Sequence, residues 1–213
     1  DYGKSDFGKG KSVLVEFVSA NPTGPMHIGN ARGGALGDCL ASVLCAAGFD
    51  AKREFYVNDA GNQIEKFKTS LETRYLQLFD DSIEMPEDAY LGEDIINHAK
   101  AFKEIHGDKY VNAESEERRQ ALCDFALPKN IQKLKDDLEK YRITYDRWYH
   151  ESELHKSGAV KEIVDKLIKS GHTYEKDGAL WFKSTDFDDE KDRVLIRDNG
   201  IPTYFVPDIA YHY

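Results

Sequence analysis

The segment that most constrains the fold lies near the amino terminus. There the apolar run Val13-Leu-Val-Glu-Phe-Val18 leads into Ala20-Asn-Pro-Thr-Gly-Pro-Met-His-Ile-Gly-Asn30, and then into the small-residue stretch Ala31-Arg-Gly-Gly-Ala-Leu-Gly-Asp-Cys-Leu-Ala-Ser-Val-Leu44. This order predicts a strand, a Gly/Pro-rich loop and the first turn of a helix. A helix start presents unpaired N–H groups and the positive end of the dipole. Gly24 and Gly29 let a ligand approach the backbone with no Cβ in the way. An anion, phosphate above all, is the expected occupant. His27 and Asn30 stand three apart, on one side of the helix start, and would add donors.

The pattern that follows makes this a βαβ unit. Strand one is expected over about residues 12 to 19, the first helix over 30 to 47, ended near Gly48, and strand two over 51 to 57. Its crossover should be right-handed, with the ligand beyond the carboxyl ends of the strands. From Asn62 the period becomes helical, with Ile64, Phe67, Leu71, Tyr75 and Leu78 on one face. Asp80 to Gly92 is acidic and loop-like, broken by Pro86. Helical patterning resumes at Ile95, Ile96, Ala99 and Phe102, at Leu122, Phe125 and Ala126, and at Ile131, Leu134 and Leu138, with Pro128 expected to start or kink a helix. Strand character returns at Ile143–Tyr149, a helix is expected over 156 to 170, a hairpin about Asp177-Gly178, and further strand at Arg193–Arg197 and Pro202–Val206. The organisation read from this is 1–63, the first half of a nucleotide-binding fold; 64–140, a mainly helical insertion; and 141–213, the continuation of that fold. In the first helix, Gly33, Gly34 and Gly37 suit close packing on the sheet.

Composition narrows the partners. A formal charge of −10, with Lys and Arg interspersed among acidic residues, offers no broad basic face. Contact with a nucleic acid would have to be local or made by other domains. No apolar stretch approaches the roughly 20 residues that cross a bilayer, and the opening residues lack a signal segment, so the cytoplasm and no membrane partner are expected. Cys39, Cys45 and Cys123 form no CxxC pair, which favours buried thiols over a metal site or disulfides. His98, His106, His150, His155, His172 and His212 form no paired-ligand motif and read as surface or capping residues, and no protein-held metal is expected.

The loop carries the spacing of the His-x-Gly-His signature of class I aminoacyl-tRNA synthetases. The text around it, Val15-Glu-Phe-Val-Ser-Ala-Asn-Pro-Thr-Gly-Pro25 and Phe55-Tyr-Val-Asn-Asp-Ala-Gly-Asn-Gln63, with Gly178-Ala-Leu-Trp181 and Thr203-Tyr-Phe-Val-Pro-Asp-Ile-Ala-Tyr-His212, resembles arginyl-tRNA synthetase over nearly the whole chain. The resemblance implies an α/β, Rossmann-like (HUP-type) parallel-sheet nucleotide-binding fold, incomplete here and interrupted by the helical insertion. It implies ATP as substrate, Mg²⁺ accompanying the nucleotide, and arginine and tRNA(Arg) as partners. It places ATP on Thr23, Gly24, Pro25, His27, Gly29 and Asn30, with His27 and Asn30 catalytic. Asn30 departs from the pattern, because it stands where the signature has its second His; an amide donates a hydrogen bond but carries no charge. Matching by motif position puts arginine on Glu16, Ser19, Asn21, Tyr204 and Asp208, and a substrate or tRNA acceptor-end contact on Asn58, Asp59, Asn62 and Gln63, which otherwise read as a turn and helix cap.

Charge gives an independent reading of two of these. Glu16 is the one ionisable residue of an apolar strand that a parallel sheet would cover on both faces, so its carboxylate needs a cation or several donors. That cation is either an internal Lys or Arg, or the ligand. Asp208, in the first turn of a helix through Pro207, is either a dipole-compensating charge or a second guanidinium acceptor. No Lys-Met-Ser-Lys-like loop or anticodon-binding region precedes Tyr213, and the chain opens at Asp1 without an initiator Met. The expectation is a monomeric catalytic-domain fragment, inactive alone. The alternatives are a non-catalytic arginine- or tRNA-binding paralogue and a small nucleotidyl transferase.

Overall fold

A computed structural model describes residues 2–213. They form two compact units, Asp1–Tyr149 and His150–Tyr213. The first is built on β1 (Ser12–Glu16), α1 (Ile28–Ala46) and β2 (Asp50–Val57). β1 and β2 are parallel, in register from Ser12 opposite Asp50 to Glu16 opposite Glu54. β3 (Arg147–His150) completes a sheet of order β1-β2-β3, starting later than the sequence pattern suggests.

Small residues let α1 sit close to this sheet. A Cβ on Gly37 would lie 2.1 Å from Phe17 Cγ, and one on Gly34 would lie 2.7 Å from Ile143 Cδ1, whereas a Cβ on Gly33 would meet nothing within 4 Å. Only two of the three glycines are therefore needed for contact. Val15, Phe17, Ala41, Phe55 and Val57 make a core with Leu134, Leu138 and Ile143.

The other face of β1 is open. Leu14 is 54% exposed and Glu16 is exposed, while α1 turns Leu36, Leu40 and Val43 outward. The fold is an incomplete Rossmann-like one, and that overturns the expectation that Glu16 is buried between two covered faces. The carboxylate that is buried belongs to Glu54, beside Glu16 on the central strand, 1% exposed and 3.4 Å from Arg147 Nε.

Helices α2 (Asn62–Gln77), α3 (Glu93–His106) and α4 (Ser115–Lys140) bury Ile64, Phe67, Leu71, Tyr75, Ile95, Ala99, Phe102, Leu122, Cys123 and Ala126 against one another. α4 runs through Pro128, so that proline does not start the helix, one of the two roles the sequence suggests for it. An interior proline costs about 3 kcal/mol in an isolated helix. Here the helix is held on both sides of it: Leu122, Cys123 and Ala126 lie in the helical core, and Leu134 and Leu138 in the sheet core. α4 thus ties the helical segment to the sheet. Cys123 is buried as expected, but Cys39 and Cys45 on α1 are exposed, because that helix buries Gly34, Gly37 and Ala41 instead.

In the second unit, α5 (Glu151–Ser157) and α6 (Ala159–Lys169) replace the single helix expected there, since Gly158 at φ 80° ends one and begins the next. β4 (Thr173–Lys176), β5 (Ala179–Phe182) and β6 (Arg193–Ile196) form an antiparallel sheet in that order. The first two join through Asp177 (φ 53°) and Gly178 (φ 75°), the two positive values that a tight hairpin turn requires. Of the strand expected at Pro202–Val206, only Pro202 pairs, with Ile196, and α7 (Phe205–His212) begins early. Pro207 permits this because first-turn residues lack an intrahelical acceptor for the N–H that proline does not have. Among the described residues no helix is long and apolar enough to cross a membrane.

Candidate functional site

Two strained residues set the geometry of the site. Val18 (φ 67°) and Ser19 (φ 41°) follow β1 in the left-handed region, where a β-branched residue costs about 1–3 kcal/mol. The reversal turns Ser19 back on the sheet. Its hydroxyl donates to Glu16 Oε1 at 2.6 Å and accepts from the Tyr56 N–H at 3.1 Å. Glu16 is thereby held by a neighbour in sequence, not by an internal cation. No feature of the sequence signals this strain at Val18, where a glycine would have marked it.

The chain then passes through the Gly/Pro loop to α1, whose N-cap is His27. The His27 Nδ1 accepts from the Gly29 N–H at 3.1 Å, and Asn30 Oδ1 accepts from the His27 N–H at 3.0 Å. A Cβ on Gly29 would press to 2.9 Å from the imidazole, so the folded-over ring requires glycine there. These bonds fix the polarity of both side chains. A neutral His27 with an accepting Nδ1 carries its proton on Nε2, and Asn30 keeps its Nδ2 donors. They also occupy backbone donors expected for the ligand, since Gly29 N–H and Asn30 N–H (to His27 O, 2.9 Å) are already paired. What the helix start still presents as donors includes the pair of side chains and the Ile28 N–H.

A cavity of about 490 Å³ opens here, lined by Val18 to Asn21, Thr23, Gly24, Pro25, His27 and Asn30. The structure thus gathers Ser19, Asn21, Thr23, Gly24, Pro25, His27 and Asn30 into one wall, but Glu16 and Gly29 are not on it. The opposite wall is Tyr90, Gly92 and Asp94, the approach to α3 and its first turn. Sequence reading placed Tyr90 and Gly92 in an acidic loop and passed over Asp94 just beyond it, and no local pattern distinguishes the three. Asp94 is the one carboxylate on the cavity wall, and its Oδ2 is buried without a hydrogen-bond partner.

Of the residues assigned to the acceptor end or a cap, Asn62 and Gln63 open α2, which has Gly61 (φ 73°) as N-cap and no side-chain cap. Gln63 Oε1 accepts from the Tyr90 hydroxyl and so braces the far wall. In the second unit, Tyr204 is the N-cap residue of α7 and half exposed, and Asp208 is exposed in its first turn. Tyr204 lines a cleft of about 490 Å³ with Asp189, Arg193, Val194, Arg197, Thr203 and Phe205, which Asp208 does not reach.

A parallel β-α-β unit with a polar cavity between its first strand and a His/Asn-capped helix is the arrangement of a Rossmann-like α/β domain. The comparisons make the family specific. Residues 2–212 match the family described as tRNA synthetases class I (R), catalytic domain. The arginine–tRNA ligase of Caldanaerobacter subterraneus subsp. tengcongensis is 63% identical over 212 residues, and that of Ruminiclostridium cellulolyticum is 62% identical over 214; each match covers the whole chain and 38% of the relative. A crystal structure assigned as an arginyl-tRNA synthetase from Campylobacter jejuni superposes with a TM-score of 0.87 at 36% identity, over 99% of this chain and 46% of that one. The chain belongs to the arginyl-tRNA synthetase family, within its catalytic domain, and spans about two fifths of the length of these relatives.

Proposed function

We propose that the protein bearing this chain activates arginine with ATP and transfers it to tRNA(Arg), and that the cavity behind Thr23–Asn30 receives the nucleotide. The observation that carries this reading is the His27–Asn30 capping pair, which leaves an imidazole Nε2 donor and an amide Nδ2 donor beside the cavity. In the first step a carboxylate oxygen of arginine bonds to the α-phosphorus as the bond to the leaving oxygen breaks, and pyrophosphate departs with the electron pair. In the second, the terminal ribose hydroxyl of the tRNA bonds to the activated carbonyl, AMP leaves and the hydroxyl proton passes to solvent.

The protein's part is to hold these groups in line and offset charge on the phosphate oxygens. His27 and Asn30 donate to phosphate; Thr23, Gly24, Pro25 and Gly29 give shape and close approach. By motif position, arginine recognition is assigned to Glu16, Ser19, Asn21, Tyr204 and Asp208. A planar guanidinium matches carboxylate acceptors better than an ammonium does. Asn58, Asp59, Asn62 and Gln63 are assigned to the substrate or acceptor end. Mg²⁺ bound with the nucleotide would offset charge on the phosphates. Residues 1–63 and 141–213 are taken as catalytic fold around an insertion at 64–140, working as a cytoplasmic monomer.

Calorimetric titration of the chain with ATP tests the nucleotide site. His27→Ala and Asn30→Ala should each weaken binding about tenfold, the low end for a hydrogen bond to a charged group. Unchanged affinity in both variants would remove the loop from the site. The chain by itself is not expected to catalyse arginine-dependent pyrophosphate exchange.

A further inference from the structure

The loop that forms the cavity is almost unsupported by its own backbone. Pro22 and Pro25 have no N–H, and Ala20–Met26 makes no well-formed backbone–backbone hydrogen bond among the described residues. One side chain from far along the sequence supplies what is missing. Asn130 of α4, only 7% exposed, donates from Nδ2 to the Pro22 carbonyl at 2.9 Å, across a separation of 108 residues. Among the described residues this is the one well-formed hydrogen bond that anchors Ala20–Met26 to the rest of the unit.

The Asn130 amide is itself oriented. Its Oδ1 lies 2.7 Å from His98 Nε2 on α3. A carbonyl can only accept, so the group facing Pro22 must be the amide nitrogen, Oδ1 must be the acceptor, and His98 must carry a hydrogen on Nε2. The chain of bonds runs from α3 through α4 to the loop. Asn130 sits two residues beyond Pro128, where α4 leaves the helical core for the sheet core. Pro22 and Thr23, which the bond holds, are buried, so a lost donor would not simply be replaced by bulk water.

We propose that Asn130, oriented by His98, is a positioning residue for the anion-binding loop. It fixes the backbone on which Thr23, Gly24 and Pro25 are mounted. The helical segment then sets the shape of the phosphate site without touching the ligand. This rests on the assignment of the nucleotide to that loop, and two readouts separate the two claims.

The first readout is hydrogen exchange of the backbone amide of Thr23, which has no acceptor among the described residues and is shielded by burial alone, in the chain and in four variants. Asn130→Ala should speed exchange there at least tenfold. Asn130→Asp keeps the volume and the acceptor for His98 but puts a second acceptor against the Pro22 carbonyl, so it should behave like the alanine variant. His98→Ala frees the amide without removing its donor and should act in the same direction, less strongly. Leu122→Ala, a cavity in the helical core, should lower overall stability and leave the Thr23 amide unchanged. The second readout is ATP affinity by calorimetry, which should fall at least fivefold in both Asn130 variants and stay unchanged in Leu122→Ala.

Wild-type exchange and affinity in Asn130→Asp would mean that packing alone holds the loop, and would overturn the proposal. So would a Leu122→Ala variant that matches Asn130→Ala in both readouts. If the wild-type chain bound no ATP, the nucleotide assignment would fall, and the exchange comparison would still decide whether Asn130 positions the loop.

Discussion

Gly33 and Gly37 lie one turn apart on α1, and the same substitution should move stability in opposite directions at the two. Replacing glycine by alanine in a helix interior is worth about 1 kcal/mol in favour of the helix. At Gly33 the new methyl meets nothing within 4 Å, so the gain should be kept. At Gly37 it would lie 2.1 Å from Phe17 Cγ and 2.5 Å from Phe17 Cβ and Cδ2. Those atoms sit at the root of the side chain and cannot swing aside. Phe17 is also pinned, stacked on Tyr145 at 4.6 Å, with its carbonyl accepting from the Tyr145 hydroxyl at 3.1 Å. Overpacking of this kind costs up to about 3 kcal/mol. Less the helical gain of about 1 kcal/mol, Gly37→Ala should be destabilised by about 2 kcal/mol. The two variants should differ by about 3 kcal/mol, the sum of those two opposite effects. Urea unfolding followed by Trp148, in a Trp181→Phe background, measures this within the first unit, because Trp148 stacks on Phe55 at 4.2 Å. Shifts of the same sign, or a difference below about 1 kcal/mol on that scale, would refute the close contact. Because Phe17 immediately precedes the strained pair Val18 and Ser19, Gly37→Ala should also weaken ATP binding, and Gly33→Ala should not.

Two further outcomes follow from buried groups. Burial pushes the Cys123 thiol up from 9.0 to about 11, so a thiol reagent at neutral pH should label the exposed Cys39 and Cys45 at once and Cys123 only on unfolding. Between about pH 9 and 11 the unfolded chain releases this proton first, so Cys123 should lower stability as pH rises through that window, and Cys123→Ala should flatten the alkaline limb of a stability–pH curve. Glu72, 6% exposed, accepts from Arg118 Nε and Nη2 at 3.0 and 2.9 Å, from Arg119 Nε at 2.5 Å and from the Ser115 hydroxyl at 2.7 Å. Glu72→Ala leaves the Arg118 guanidinium buried without a counter-charge and should cost about 3 kcal/mol in urea unfolding; a loss below about 1 kcal/mol would show that the network contributes little.

The alternation and punctuation of the sequence determined most of the local structure. The Val13–Val18 run, the Gly/Pro loop and the small-residue helix gave the βαβ unit, and the spacing of Ile64, Phe67, Leu71 and Tyr75 gave the buried face of α2. Asp177-Gly178 gave the hairpin, since few residue pairs take two positive φ values. Such features are legible because they depend on residues within one or two turns of each other. The motif also picked out residues that line one cavity, among them Ser19, Asn21, Thr23, His27 and Asn30.

What the sequence could not decide depends on partners distant along the chain or on the number of layers present. Glu16 was read as buried because an apolar strand implies two covered faces; the sheet is covered on one at β1, and the buried carboxylate is Glu54. Pro128 was read as starting or kinking a helix; it lies inside α4, which two cores grip on either side of it. Tyr90, Gly92 and Asp94 complete the cavity from the approach to α3 and its first turn, with no motif of their own, and Asn130 reaches Pro22 across 108 residues. Local sequence sets which backbone shapes are cheap, but which side chain meets which loop is fixed only when long-range packing outweighs the entropy of bringing them together.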